Sequence, residues 1–210
     1  MKRIIVFLIL VVVFSCKDEK KKETEVVVEE IVKKQYEIVK NFTHLDLLNW
    51  SKVRVHAEPV LNKELQDVTY NLSRITSTES AYLSSDLIPV TYASEYKVSV
   101  MAKKGDNNSF FGLRITGIYP DRVDAIFDLD KGIVVEYIAA QDFERPMATI
   151  EKLSNGWYNC ILSAKVAADQ VRIIMGETSK EKKASNWEGK TETMGGVYFL
   201  PSSIVLKELK

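Results

Sequence analysis

Beyond residue 42 the chain alternates. Tyr96, Val98 and Val100 are interleaved with Lys97, Ser99 and Met101, and Phe111, Leu113 and Ile115 with Gly112, Arg114 and Thr116. Val123, Ala125, Phe127 and Leu129 alternate with Asp124 and Asp128, and Tyr158, Cys160 and Leu162 with Asn159 and Ser163. Val171, Ile173 and Met175 come next, then Val197 to Leu200 and Ile204 to Leu209. A period of two gives each segment one apolar face and predicts a strand. Turn chemistry separates the segments: Lys104, Gly105 and Asp106; Tyr119, Pro120 and Asp121; Asp130, Lys131 and Gly132; Asn155 and Gly156. No stretch past residue 42 carries a long helical stripe. About eight to eleven short strands with polar turns predict an all-β fold, a two-sheet antiparallel β-sandwich of jelly-roll or immunoglobulin type over residues 42–210. Cys160 has no second core cysteine to pair with, which favours the jelly roll.

The first residues follow a different pattern. Lys2 and Arg3 precede an apolar run from Ile4 to Phe14, and Ser15 and Cys16 then lead directly into Lys17, Asp18 and Glu19. The run is too short to span a bilayer, which takes roughly 20 apolar residues, but it suits the h-region of a secretory signal. Val13, Phe14, Ser15 and Cys16 resemble a bacterial lipobox, in which the cysteine is acylated and the signal is cut before it. The expected organisation is a signal peptide over 1–15, a lipidated Cys16 with a charged tether over 16–41, and the sandwich after it. Several acyl chains would hold the protein to a membrane without a spanning segment. Lys17, Asp18 and Glu19 resemble the surface-export signal of some Gram-negative lipoproteins, which implies the exterior face of the outer membrane.

Composition narrows the function classes. Lysine plus arginine (29) balance aspartate plus glutamate (29), so no net field gathers nucleic acid, and no nucleic-acid partner is expected. His44 and His56 stand apart, with no zinc spacing between them, and read as surface residues. Cys160 alternates with core positions, where an apolar setting silences a thiol. No nucleophile elbow, phosphate loop or dinucleotide fingerprint is present. The chain is therefore read as a non-enzyme, with a polysaccharide lyase or hydrolase as the minority alternative.

The segments YKVSVMAKK, FFGLRITG, AIFDLDKGIV, NGWYNC and WEGKTETMGGVYFL occur in that order between Leu47 and Leu209. In this they resemble a family of carbohydrate-binding-module-like jelly rolls found in phage tail and fibre proteins and beside polysaccharide-degrading enzymes. The resemblance implies a sandwich that binds glycan, and fold alone does not carry function. Jelly rolls of this kind often hold a structural Ca²⁺ on oxygen ligands. Asp121, Asp124, Asp128 and Asp130 would be the residues to supply it, although alternate positions on a strand are also simply its solvated face. No other cofactor is expected.

A glycan site needs an aromatic platform edged by planar or charged hydrogen-bonding groups. Trp157 belongs to a structural turn and Trp50 is expected to cover one end of the sandwich. Trp187 stands in the polar run SKEKKASNWEGKTETMGG, where it is either an exposed platform or a plug of the sandwich rim. Asn186 and Glu188 flank it. Arg114 and Arg172 lie on outward strand faces and share one surface if their strands are neighbours; Tyr119 and Tyr82 are further aromatic candidates. The expected partners are the membrane, through Cys16, and a glycan or polysaccharide. The alternative is an adhesive lipoprotein that recognises another envelope protein.

Overall fold

The computed structural model describes residues 35–191 and 194–210; Cys16 and the signal lie outside them. Among these residues fourteen strands follow in chain order. The first seven are β1 (Tyr36–Asn41), β2 (Ser51–Val53), β3 (Val55–Asn62), β4 (Asp67–Arg74), β5 (Tyr82–Ser84), β6 (Ile88–Pro89) and β7 (Ser94–Lys104). Then come β8 (Phe110–Thr116), β9 (Arg122–Asp128), β10 (Ile133–Ala140), β11 (Glu144–Lys152), β12 (Trp157–Val166), β13 (Gln170–Glu177) and β14 (Gly196–Leu209). Helix among the described residues is confined to three short 3-10 turns, at Asp46–Asn49, Ser154–Gly156 and Ala184–Asn186.

The strands form two antiparallel sheets, as the alternation predicts. The first runs β11-β12-β7-β14-β4-β3 with β1 added to β14, and the second runs β10-β9-β8-β13-β5-β2 with β6 added to β13. Leu72, Val98, Val100, Phe199 and Leu206 of the first sheet meet Leu83, Phe111, Leu113, Ile115, Phe127, Ile173 and Met175 of the second in one core. The parity read from sequence holds: Phe111, Leu113 and Ile115 are wholly buried and point inward. Trp50 closes one end, with Phe42 edge-on at 5.3 Å. Cys160 is a free, buried thiol whose pKa burial pushes well above the ordinary value. His44 and His56 are both exposed.

Two features differ from the sequence reading. Tyr36–Asn41 falls in the stretch expected to be tether, yet it pairs with β14 from Tyr36↔Leu209 to Asn41↔Val205. Its β-branched Ile38 and Val39 suit a strand better than a helix. The second difference lies on the outward face of the second sheet. Asp124 and Asp128, expected to be solvated, are buried, and so are Arg114 and Arg122. A roof made by the segment that connects β13 to β14 covers Arg114, Arg122 and Asp124, whereas Asp128 is engaged by the turn after β9, whose Asp130 and Lys131 N–H groups donate to it.

Candidate ligand-binding groove

The roof is organised by Trp187, whose side chain is fully buried. Its indole lies over Gly112 of β8 and Gly176 of β13, which are paired across the two strands. Around the ring are Ile126, Ile174, Ala184, Tyr82 and Phe110, a small apolar cluster separate from the main core. Trp187 is therefore the plug of the two readings open in the sequence, and it offers no stacking platform. Its polar sequence neighbourhood is misleading because its apolar partners come from four different strands.

Beneath the roof sits a charged network. Trp187 Nε1 donates to Asp124 Oδ1 at 3.0 Å, Arg114 Nε donates to the same oxygen at 2.5 Å, and Arg122 Nε donates to Oδ2 at 2.9 Å. Arg114 also forks onto Glu188, Nη1 to Oε1 at 3.0 Å and Nη2 to Oε2 at 2.9 Å. Burial alone would lower the Arg114 pKa, but Asp124 and Glu188 outweigh it and hold the guanidinium charged above its ordinary range. Arg114 also lies 5.5 Å from the centroid of the Trp187 ring.

Arg74, at the end of β4 in the other sheet, fastens the roof from behind. It donates to the carbonyls of Glu177, Glu79, Trp187 and Glu188. Its own pKa is lowered by burial, against the pull of Glu177 and Glu188. Glu177 is buried beside it, and one carboxylate oxygen accepts from Asn108 Nδ2 at 2.5 Å. The other oxygen has no hydrogen-bond partner among the described residues and lies 4.0 Å from Arg74 Nε. Burial pushes the Glu177 pKa up to about 7 despite Asn108 and Arg74.

Next to the roof a groove of about 640 Å³ opens on the outward face of the second sheet. Arg114 and Thr116 of β8 line it opposite Arg172 and Ile174 of β13, with Glu188 and Tyr82 at the roof side. Tyr119, from the turn between β8 and β9, stands at the far side. The structure thus brings together Arg114, Arg172, Tyr119, Tyr82 and Glu188 of the sequence candidates. Asn186 is exposed on the roof and does not line the groove. The tyrosine is 72% exposed, and Arg122 covers one face of its ring with its guanidinium carbon 4.9 Å from the centroid. Arg122 is held in place by Asp124 and by the carbonyls of Pro120 and Ser185. A more apolar cavity of about 690 Å³ adjoins the groove and shares Leu87, Gly117 and Ile118 with it.

The residues that sequence reasoning missed are Arg122, Gly112 and Gly176, and Asp124 was considered only as a calcium ligand or a solvated strand position. The glycines carried a usable signal, because glycine inside a strand marks a place where something approaches closely.

The four aspartates considered for calcium are engaged separately. Asp124 serves the arginines, Asp128 Oδ1 accepts from the N–H groups of Asp130 and Lys131, and Asp130 pairs with Lys104. Asp121 Oδ1 faces the N–H of Asp142. Among the described residues no group of three or more acidic, histidine or cysteine side chains is placed to hold a metal ion.

No family model matches the chain, and no curated protein matches it. Among solved structures it is similar to a carbohydrate binding module (CBM6cm-2) from Cellvibrio mixtus lichenase 5A in complex with cellotriose. The identity is 9%, the TM-score is 0.41, and the match covers 83% of this chain and 98% of that one. It is also similar to a β-1,3-glucan binding CBM6 from Bacillus halodurans, at 6% identity and a TM-score of 0.36, over 79% of this chain and 93% of that one. What the groove can hold follows from its own side chains.

Proposed function

We propose that the protein is a non-catalytic glycan-binding sandwich whose ligand lies in the groove between Tyr119 and the roof. The observation that carries this reading is the Tyr119 ring, backed on one face by Arg122 and open on the other. An immobilised aromatic face suits the weakly apolar face of a pyranose, and Arg172 and Glu188 supply groups for its hydroxyls. Glu188 is the one carboxylate that lines the groove among the described residues, and Arg114 engages both its oxygens. Acid–base hydrolysis of a glycosidic bond calls on a pair of carboxyl groups, so the arrangement supports binding rather than cleavage. Acylation at Cys16, read from the sequence alone, would hold this module at the outer membrane.

Affinity electrophoresis of the full chain in detergent, across a panel of neutral and charged polysaccharides, tests the reading. Retardation by at least one polysaccharide is expected, with Tyr119→Ala abolishing it and Tyr119→Trp preserving it. Retardation by none, or retardation indifferent to Tyr119→Ala, would remove the groove as a glycan site. Metabolic labelling with radioactive palmitate tests the anchor: label in the wild type and none in Cys16→Ser is expected.

A further inference from the structure

The two guanidinia on the groove wall are in different situations. Arg114 is paired with two carboxylates: it forks onto Glu188 and donates to Asp124. Arg172 sits diagonally across from it, because Arg172 pairs with Thr116 and Ile174 with Arg114 in the β8–β13 register. Arg172 is exposed and, among the described residues, its side chain makes no hydrogen bond and no ion pair. Asp121 and Asp169 line the adjoining cavity beyond Gly117 and Ile118, and the exposed Asp86 lies on the segment between β5 and β6, which borders β13 on its other edge. Of the three charged side chains that line the groove, Arg114 and Glu188 pair with each other and Arg172 is left over. The surplus positive charge resides on Arg172, in a chain whose formal net charge is zero.

Hydroxyl groups need no such cation, whereas a planar guanidinium matches an oxyanion with two parallel hydrogen bonds. Resting on the glycan-binding reading, we infer that the ligand is an anionic saccharide whose oxyanion is taken by Arg172 while Tyr119 stacks on a sugar ring. The oxyanion is either the carboxylate of a uronic acid or a sulfate ester. Its partner is already in place, and Arg114 with Glu188 forms a neutral edge that leaves the anion free to choose Arg172.

Calorimetric titration of the full chain in detergent with three sets of oligosaccharides tests this: polyuronate, sulfated galactan, and neutral β-glucan. Binding of one anionic set about tenfold or more tighter than the neutral set is expected, weakening as salt rises. Polyuronate or sulfated galactan taking that place names the source of the charge. Arg172→Gln should reduce the favoured set to the level of the neutral one, and Arg172→Lys should restore part of the difference. Arg172 is exposed and unpaired, so its variants should melt like the wild type. Neutral glucan bound as tightly as both anionic sets, with Arg172→Gln without effect, would overturn this inference and leave glycan binding standing. Failure of all three sets to bind would overturn both.

Discussion

Gly112 and Gly176 face each other across β8 and β13, and the indole of Trp187 occupies the space that their missing side chains leave. A Cβ at Gly112 would run into Cδ2 and Cε3 of the ring, and one at Gly176 would stand 2.9 Å from Cζ3. Gly112→Ala should therefore overpack the site and cost about 1–3 kcal/mol, more than Gly176→Ala does. Trp187→Ala should cost more still, about 3–5 kcal/mol, because it empties the cluster and removes a donor from Asp124. Urea denaturation of the three variants gives the ranking.

Asp124 is the only anion that both Arg114 and Arg122 contact through Nε among the described residues. Asp124→Asn keeps the size of the side chain and removes the charge, leaving two buried guanidinia short of a counter-ion. A loss of about 3–5 kcal/mol is expected. Adding Arg122→Gln should cost less in the Asp124→Asn background than alone, since the two share one interaction. A double-mutant cycle by chemical denaturation measures the difference.

Glu177 sets a pH dependence whose sign follows from its environment. Its pKa is about 7 in the folded protein against an ordinary 4.5, so between those values the folded state holds a proton that the unfolded state has released. Stability from this group should therefore fall as pH rises from about 4.5 to about 7 and level off above, by about 3 kcal/mol at most. Glu177→Gln should flatten that slope. Urea midpoints at pH 5, 6, 7 and 8 for both proteins show it.

Cys160 should be chemically silent. It is fully buried on β12, and its thiol pKa is raised by burial, so the reactive thiolate is scarce and out of reach. A chromogenic disulfide reagent should leave Cys160 untouched in the native protein and titrate it in guanidinium chloride.

Much of this architecture is legible in the sequence, and the reasons are local. Phe111, Leu113 and Ile115 alternate with Gly112, Arg114 and Thr116, so one strand declares its own inward and outward faces. The turns at Gly105, Pro120, Gly132 and Gly156 likewise act over a few residues. What covers an outward face is not local. Arg114 and Asp124 read as solvated because nothing nearby announces that Trp187, 63 residues after Asp124 in the segment between β13 and β14, folds over them. The tryptophan itself lies among lysines and glutamates, while Ile126, Ile174 and Phe110 arrive from elsewhere. Arg114, Arg172 and Tyr119 were recognisable as candidates by residue type, but their meeting in one groove depends on β13 pairing with β8, a register that no single segment encodes. The strand at Tyr36–Asn41 was hidden for a similar reason, since its partner is the last strand of the chain.

Arg74 holds four carbonyls from three separate backbone stretches while standing on the opposite sheet from the groove. The groove's wall is consequently no interchangeable cassette. Transplanting a foreign segment between β13 and β14 to retarget specificity would strand that guanidinium inside the protein, so a successful graft has to carry its own carbonyl geometry or bring a smaller, uncharged residue to position 74.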